Sequence, residues 1–208
     1  MNPINGDLES LLKKITPKKN LYSFMSGILL VDATSESAQE MVLKHINDYD
    51  NWSGTKIDFY MPGYALREQC VSFEDDNAVP IKIGGKNYLF VKSLYDKYFS
   101  DYKYAFKFSE SGYPILILID VIKKDSNSYE IENYFTINLE KWQDIDALFR
   151  AIFYYADKNT HDKKSFYFQV LLGQHVKRVK KELKKQFGEI ATQMILVDCL
   201  KYIIHCDW

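Results

Sequence analysis

The chain has 208 residues, of which 47% are hydrophobic and 26% are charged, and its formal net charge at pH 7 is -1. This length allows one sizeable core, or one domain with an appendage, because domains average about 150 residues. The near-zero charge excludes a chain-wide field that would gather nucleic acid or an anionic membrane, so such binding would need a local patch.

Cysteine usage and the absence of targeting patterns narrow the class further. The three cysteines, Cys70, Cys199 and Cys206, are odd in number and have no CxxC spacing, which argues against a disulfide scaffold and a structural zinc site. The first residues lack the pattern of a signal peptide, and no apolar run is long enough to cross a bilayer. We therefore expect a cytoplasmic protein with free thiols and no membrane span.

The first half of the chain predicts alternating helices and strands. Residues 7–15 have helical spacing, with Asp7 as the cap and Pro17 as the stop. Residues 21–31 form an apolar strand, a helix opens at Ser35, and residues 56–61 form a second strand.

The middle of the chain begins with a weakly patterned segment. Residues 64–87 read as irregular, with Gly84-Gly85 as a turn, and residues 88–99 read as a helix with an aromatic face. A strand led by Pro114 follows, then a hairpin partner at residues 129–139 and an amphipathic helix at residues 142–156.

The last fifty residues predict a helical extension. A polar linker precedes a basic helix at residues 174–187 and an apolar helix at residues 189–204, with Gly188 between them. We divide the chain into an N-terminal helical arm (1–20), an α/β domain (21–157) and a C-terminal helical extension packed on that domain (158–208).

Two unbroken apolar runs decide the fold class. Residues 28–31 and 115–119 carry no polar alternation, which is typical of strands that are buried on both faces. Because helical patterns separate them, the sequence predicts one α/β sheet with helices on both faces and with the Pro114 strand at its centre.

This order of elements resembles the thioredoxin fold. Residues 28–32 look like the first central strand of that family, Gly112-Tyr113-Pro114 and residues 115–118 look like its strand led by a proline, usually cis, and residues 142–156 look like its last helix. The resemblance covers about two-thirds of the chain. It implies a central mixed sheet flanked by helices and a cis bond at Pro114.

The sequence departs from the family where its chemistry lies. Thioredoxin-like oxidoreductases carry Cys-x-x-Cys in the loop after the first central strand, at a helix N-terminus that lowers a thiol pKa. Here that loop contains Ser35 and Ser37, which we interpret as helix caps because no base stands beside them. We therefore predict no thiol-disulfide oxidoreductase activity and assign no catalytic residue, metal ligand or cofactor.

A second set of residues could line a groove for a ligand or partner. Carboxylates near strand ends and aromatic side chains beside a tight turn suit such a role, although core packing and capping explain the same residues. The set contains Asp58, Tyr60, Tyr64, Tyr113, Pro114 and Asp120.

The basic helix is the sharpest charge feature. Its cations could bind phosphate backbones, anionic lipid or an acidic protein surface, or could simply be solvated. This basic patch contains Lys177, Arg178, Lys180, Lys181, Lys184 and Lys185.

Three functions remain open. The preferred one is a non-catalytic protein-interaction module, with a protein partner or a homodimer contact formed by the helices of residues 174–204. The alternatives are an enzyme with an unrecognised site near residues 58–90 and a nucleic-acid or anionic-surface binder acting through residues 174–187.

Overall fold

The computed structural model describes residues 1–4, 6–15, 23–54, 57–69, 78–109, 112–123, 129–142 and 144–159. The basic patch, the predicted apolar helix at residues 189–204 and all three cysteines lie outside these residues. The C-terminal extension and its proposed partner contact therefore stay predictions.

Helices and strands alternate through the described residues. In chain order they are β1 (Asn2–Ile4), α1 (Leu8–Lys14), β2 (Ser23–Leu30), α2 (Glu36–Met41), α3 (Ile46–Ser53), β3 (Asp58–Pro62), β4 (Tyr64–Leu66), β5 (Val79–Ile83), β6 (Lys86–Phe90), α4 (Lys92–Phe106), β7 (Ile115–Lys123), β8 (Tyr129–Asn138) and α5 (Ile145–Asn159). Short 3-10 turns lie at Leu43–His45, Arg67–Gln69 and Leu139–Lys141.

A five-stranded mixed sheet forms the body, with the order β1-β3-β2-β7-β8. The strands β1, β3 and β2 run parallel, whereas β7 is antiparallel to β2 and to β8. The two apolar runs are neighbours, with Leu30 opposite Ile115, which confirms that they share one sheet. The central strand is nevertheless β2 and not β7, because β1 extends the sheet on the other side of β3.

A second sheet corrects the prediction for residues 64–99. Strands β4, β6 and β5 form a three-stranded antiparallel sheet, so the prediction of one sheet was wrong. The predicted turn at Gly84-Gly85 joins β5 to β6, and both glycines have positive φ. Residues 88–90 belong to β6, and the helix begins only at Lys92, because antiparallel pairing with β5 holds these residues extended.

Helices cover both faces of the main sheet. Phe59 contacts Phe149 and Phe153, at ring centroid separations of 5.8 and 5.6 Å, which places α5 on one face. On the other face, the ring of Tyr134 in β8 meets the ring of Phe106 in α4 edge to face at 5.0 Å. Register puts Phe59 and Tyr134 on opposite faces, as expected for a helix-covered sheet.

The first fifteen residues join this body closely. Strand β1 pairs with β3, and Leu11 and Ile15 of the following helix segment are buried. The Asp7 carboxylate accepts a hydrogen bond from the Ser10 backbone N–H at 2.8 Å, which confirms the predicted helix cap.

The Tyr113–Pro114 peptide bond is trans, so the expected cis bond is wrong; trans is the lower-energy form of most X-Pro bonds. Within the described ranges, no helix combines the length and apolar content needed to cross a bilayer.

Candidate functional site

The register of the main sheet separates the six predicted groove residues. We call the end of the sheet at Leu30 and Pro62 the carboxyl edge, because the three parallel strands finish there. Tyr113 and Pro114 lie at this edge beside the start of β7, and Tyr64 follows the end of β3. Asp58 and Asp120 lie toward the opposite end, and Tyr60 lies between, opposite Ile28.

The two carboxylates do not face each other. Asp58 is paired with Ser26 and Asp120 with Met25, so they stand beside consecutive residues of β2. Successive residues of a strand point to opposite faces, which places the two carboxylates on opposite faces of the sheet. Asp58 also accepts a hydrogen bond from the Asn2 side-chain amide at 2.8 Å.

Asp32, two residues after the end of β2, makes several contacts at the carboxyl edge. Its Oδ1 accepts hydrogen bonds from the Thr34 backbone N–H at 2.9 Å and from the Thr34 hydroxyl at 2.6 Å. The Ser35 N–H donates to the Asp32 carbonyl at 3.0 Å. This aspartate turn reverses the chain and starts α2.

The loop after β2 then meets the loop before β7. The hydroxyls of Ser35 and Ser37 are 2.8 Å apart, and the Ser37 hydroxyl donates to the Gly112 carbonyl at 3.4 Å. We call these three residues the serine seam. Ser35 does occupy the N-cap position of α2, but its side chain makes no cap hydrogen bond; it pairs with Ser37 instead.

A lysine at the start of α4 closes the same edge. The Lys92 ammonium lies 3.5 Å from Oδ2 of Asp32, hydrogen-bonds to Asp96 and stands over the ring of Tyr95 at 5.8 Å. Burial alone would lower the pKa of this ammonium, but the hydrogen bond to Asp96 and the charge of Asp32 raise it overall. Lys92 is therefore held charged and paired.

Two buried tyrosines form the floor beneath these charges. The Tyr64 hydroxyl donates to the Val31 carbonyl at 2.8 Å, and Tyr95 packs on the Cα side of Gly63. Burial, above all, raises the pKa of both phenols, and the nearby charge of Asp32 adds to the shift. Tyr64 is fully buried, so it supports the edge from below.

Tyr113, the residue after Gly112 of the serine seam, is an aromatic side chain that solvent reaches. Tyr113 is 38% exposed, whereas Pro114 beside it is buried and accepts a hydrogen bond from the Leu139 N–H at 3.0 Å. Tyr113 therefore stands next to a buried, hydrogen-bonded residue at the start of β7.

Sequence reasoning missed most of this edge. Asp32 lies sixty positions or more before Lys92 and Asp96 in the sequence, and only the fold brings it close to them. One signal was available: a carboxylate directly after a buried parallel strand stands at the edge where α/β proteins bind ligands.

The chemistry of the edge is that of paired groups. Among the described residues, His, Cys, Asp and Glu side chains nowhere gather in threes at a spacing that would hold a metal ion. At the carboxyl edge, Asp32 is bonded to Thr34 and Lys92, and the two serines are bonded to each other. Such an arrangement stabilises a surface more readily than it activates a nucleophile.

The chain matches no protein-family model, no curated protein and no solved structure.

Proposed function

We propose that this chain is a non-catalytic protein-interaction module on a thioredoxin-like scaffold. Several features support the scaffold. The element order through β2, α3, β3, α4, β7, β8 and α5 is the one on which the resemblance was based, and Pro114 leads the antiparallel hairpin strand. The trans bond at Pro114 is a departure from that family pattern.

The observation that carries the proposed function is the serine seam. Its two serines lie where the resemblance would place Cys-x-x-Cys, and its glycine lies in the loop that leads into the Pro114 strand. Its hydroxyls are engaged with each other and with a backbone carbonyl, so the loop holds its shape without presenting a thiol. A scaffold can keep its architecture after losing its chemistry.

The surface beside the seam suits protein contact. Tyr113 offers a partly exposed ring at the start of a strand, and tyrosines are enriched at interfaces because they supply apolar area with a polar tip. The paired charges of Asp32 and Lys92 lie at the same edge of the sheet and supply polar groups to this surface. The predicted contact through residues 174–204, with a partner or with a second copy, is part of the same proposal.

Site-specific photo-crosslinking tests this surface. A photoreactive phenylalanine analogue replaces Tyr113 in the full chain, and the expected result is one discrete crosslinked protein species after illumination in lysate of the source cells. The matched control carries the analogue at Tyr104 of α4, which is 89% exposed and therefore collides with solutes more often. Equal labelling at both positions, or none at Tyr113, would contradict the proposed contact surface.

Self-association is tested separately. Sedimentation of the full chain at tens of micromolar is expected to show a dimer if the second copy is the partner, since weak dimers form at such concentrations. A strict monomer rejects the homodimer and leaves a different protein as the partner. Turnover of a small-molecule substrate that is lost in a Ser37→Ala variant would reject the non-catalytic assignment.

A further inference from the structure

We draw no further inference here: the strongest candidate, the outer edge of strand β8, which pairs with no further strand among the described residues, is interrupted by a bulge opposite Asp120 and Val121, and nothing in the structure shows what covers it.

Discussion

The aromatic ring of Phe59 in β3 lies directly over Gly27 of the neighbouring strand β2, and a methyl group built on Gly27 would overlap that ring. Both residues are in the core, and the ring continues into contact with Phe149 and Phe153 of α5. Glycine at this position is what lets the sheet and α5 approach each other around one large side chain.

Replacement of Gly27 with alanine should therefore lower the free energy of unfolding by about 1–3 kcal/mol, the usual cost of overpacking a core. Urea unfolding followed by circular dichroism measures the change. The control is Gly112→Ala, because a methyl group there meets nothing within 4 Å, and it should stay within about 0.5 kcal/mol of the parent. If both variants unfold at the same urea concentration, Phe59 does not depend on Gly27 for its place.

Tyr64→Phe should destabilise the protein by about 1–3 kcal/mol. The substitution removes the hydroxyl that donates to Val31 and leaves a buried carbonyl without that donor. Tyr104→Phe makes the same chemical change at a position that is 89% exposed and should have little effect. Equal unfolding midpoints for the two variants would show that the Val31 carbonyl finds another donor.

Alkaline pH should weaken the fold through its buried tyrosines. Burial, more than any other cause, raises the pKa of Tyr49, Tyr64, Tyr95 and Tyr102 above the ordinary value of about 10. Between pH 10 and the raised pKa, the unfolded chain releases these protons while the folded chain keeps them, so the free energy of unfolding falls as pH rises. Below pH 10 both states are protonated and these groups contribute no pH dependence.

The Tyr49→Phe variant isolates one such group. Between pH 8 and pH 11, the free energy of unfolding should fall by about 1.4 kcal/mol less in the variant than in the parent, because pH 11 is one unit above the pKa of an unfolded tyrosine. Measuring the parent-to-variant difference at each pH removes the contribution of lysines that titrate in the same range. A difference that stays constant from pH 8 to pH 11 would contradict the raised pKa of Tyr49.

Lys107→Gly should stabilise the protein by about 0.5–1 kcal/mol. Lys107 ends α4 in the left-handed region, with φ 48° and ψ 39°, which costs energy for any residue with a Cβ. The same change at Lys97, inside α4, should destabilise by about 1 kcal/mol because glycine is a poor helix former. Thermal unfolding of both variants distinguishes the two effects, and a loss of stability at both positions would contradict the strain at Lys107.

The chain should not reduce insulin disulfides in the presence of dithiothreitol beyond the uncatalysed rate. The residues after β2, where the resemblance would place the reactive thiols, include Ser35 and Ser37 and no cysteine. A triple variant with serine at positions 70, 199 and 206 should fold and assay like the parent. Reduction activity that disappears in this variant would assign a redox role to one of these cysteines.

The sheet could be predicted from the sequence where burial left a plain pattern. Residues 28–31 and 115–119 are apolar at every position, and only a strand covered on both faces keeps such a run in a structure of this kind. Strand β1 had no such pattern, because its three residues include Pro3 and are held extended by pairing with β3. Because β1 adds a strand beside β3, the central strand is β2 and not the predicted β7.

The boundary between β6 and α4 shows why local spacing misleads. Leu89, Phe90, Leu94 and Tyr95 recur with helical spacing, yet the first two lie in a strand and the last two in a helix, with only Val91 between the elements. Both elements bury apolar side chains in the same region, so the combined pattern resembles one helix. The hydrogen bonds that hold β6 extended come from β5, across the Gly84-Gly85 turn, and from β4, which lies outside the helical window.

The candidate site was harder to predict than the sheet for a related reason. The helix cap at Asp7 involves only the three residues that follow it, so the sequence predicted it. The hydrogen bond from Ser37 in α2 to Gly112 in the loop before β7 joins residues that lie 75 positions apart, and only the topology brings them into contact. The sequence showed that the loop after β2 has no cysteine, but it did not show which hydrogen bonds that loop makes.

Gly63, at the end of β3, links three distant parts of the chain. Its N–H donates to the Ile4 carbonyl at 3.1 Å, its carbonyl accepts from the Val91 N–H at 3.0 Å, and a methyl group on it would lie 2.7 Å from Cβ of Tyr95. Separation of β1 from β3 would remove the acceptor of the Gly63 N–H. The same glycine also accepts the hydrogen bond at the start of α4 and packs against Tyr95. Because Gly63 is hydrogen-bonded to both β1 and the start of α4, we expect loss of the β1 pairing to destabilise the two sheets together.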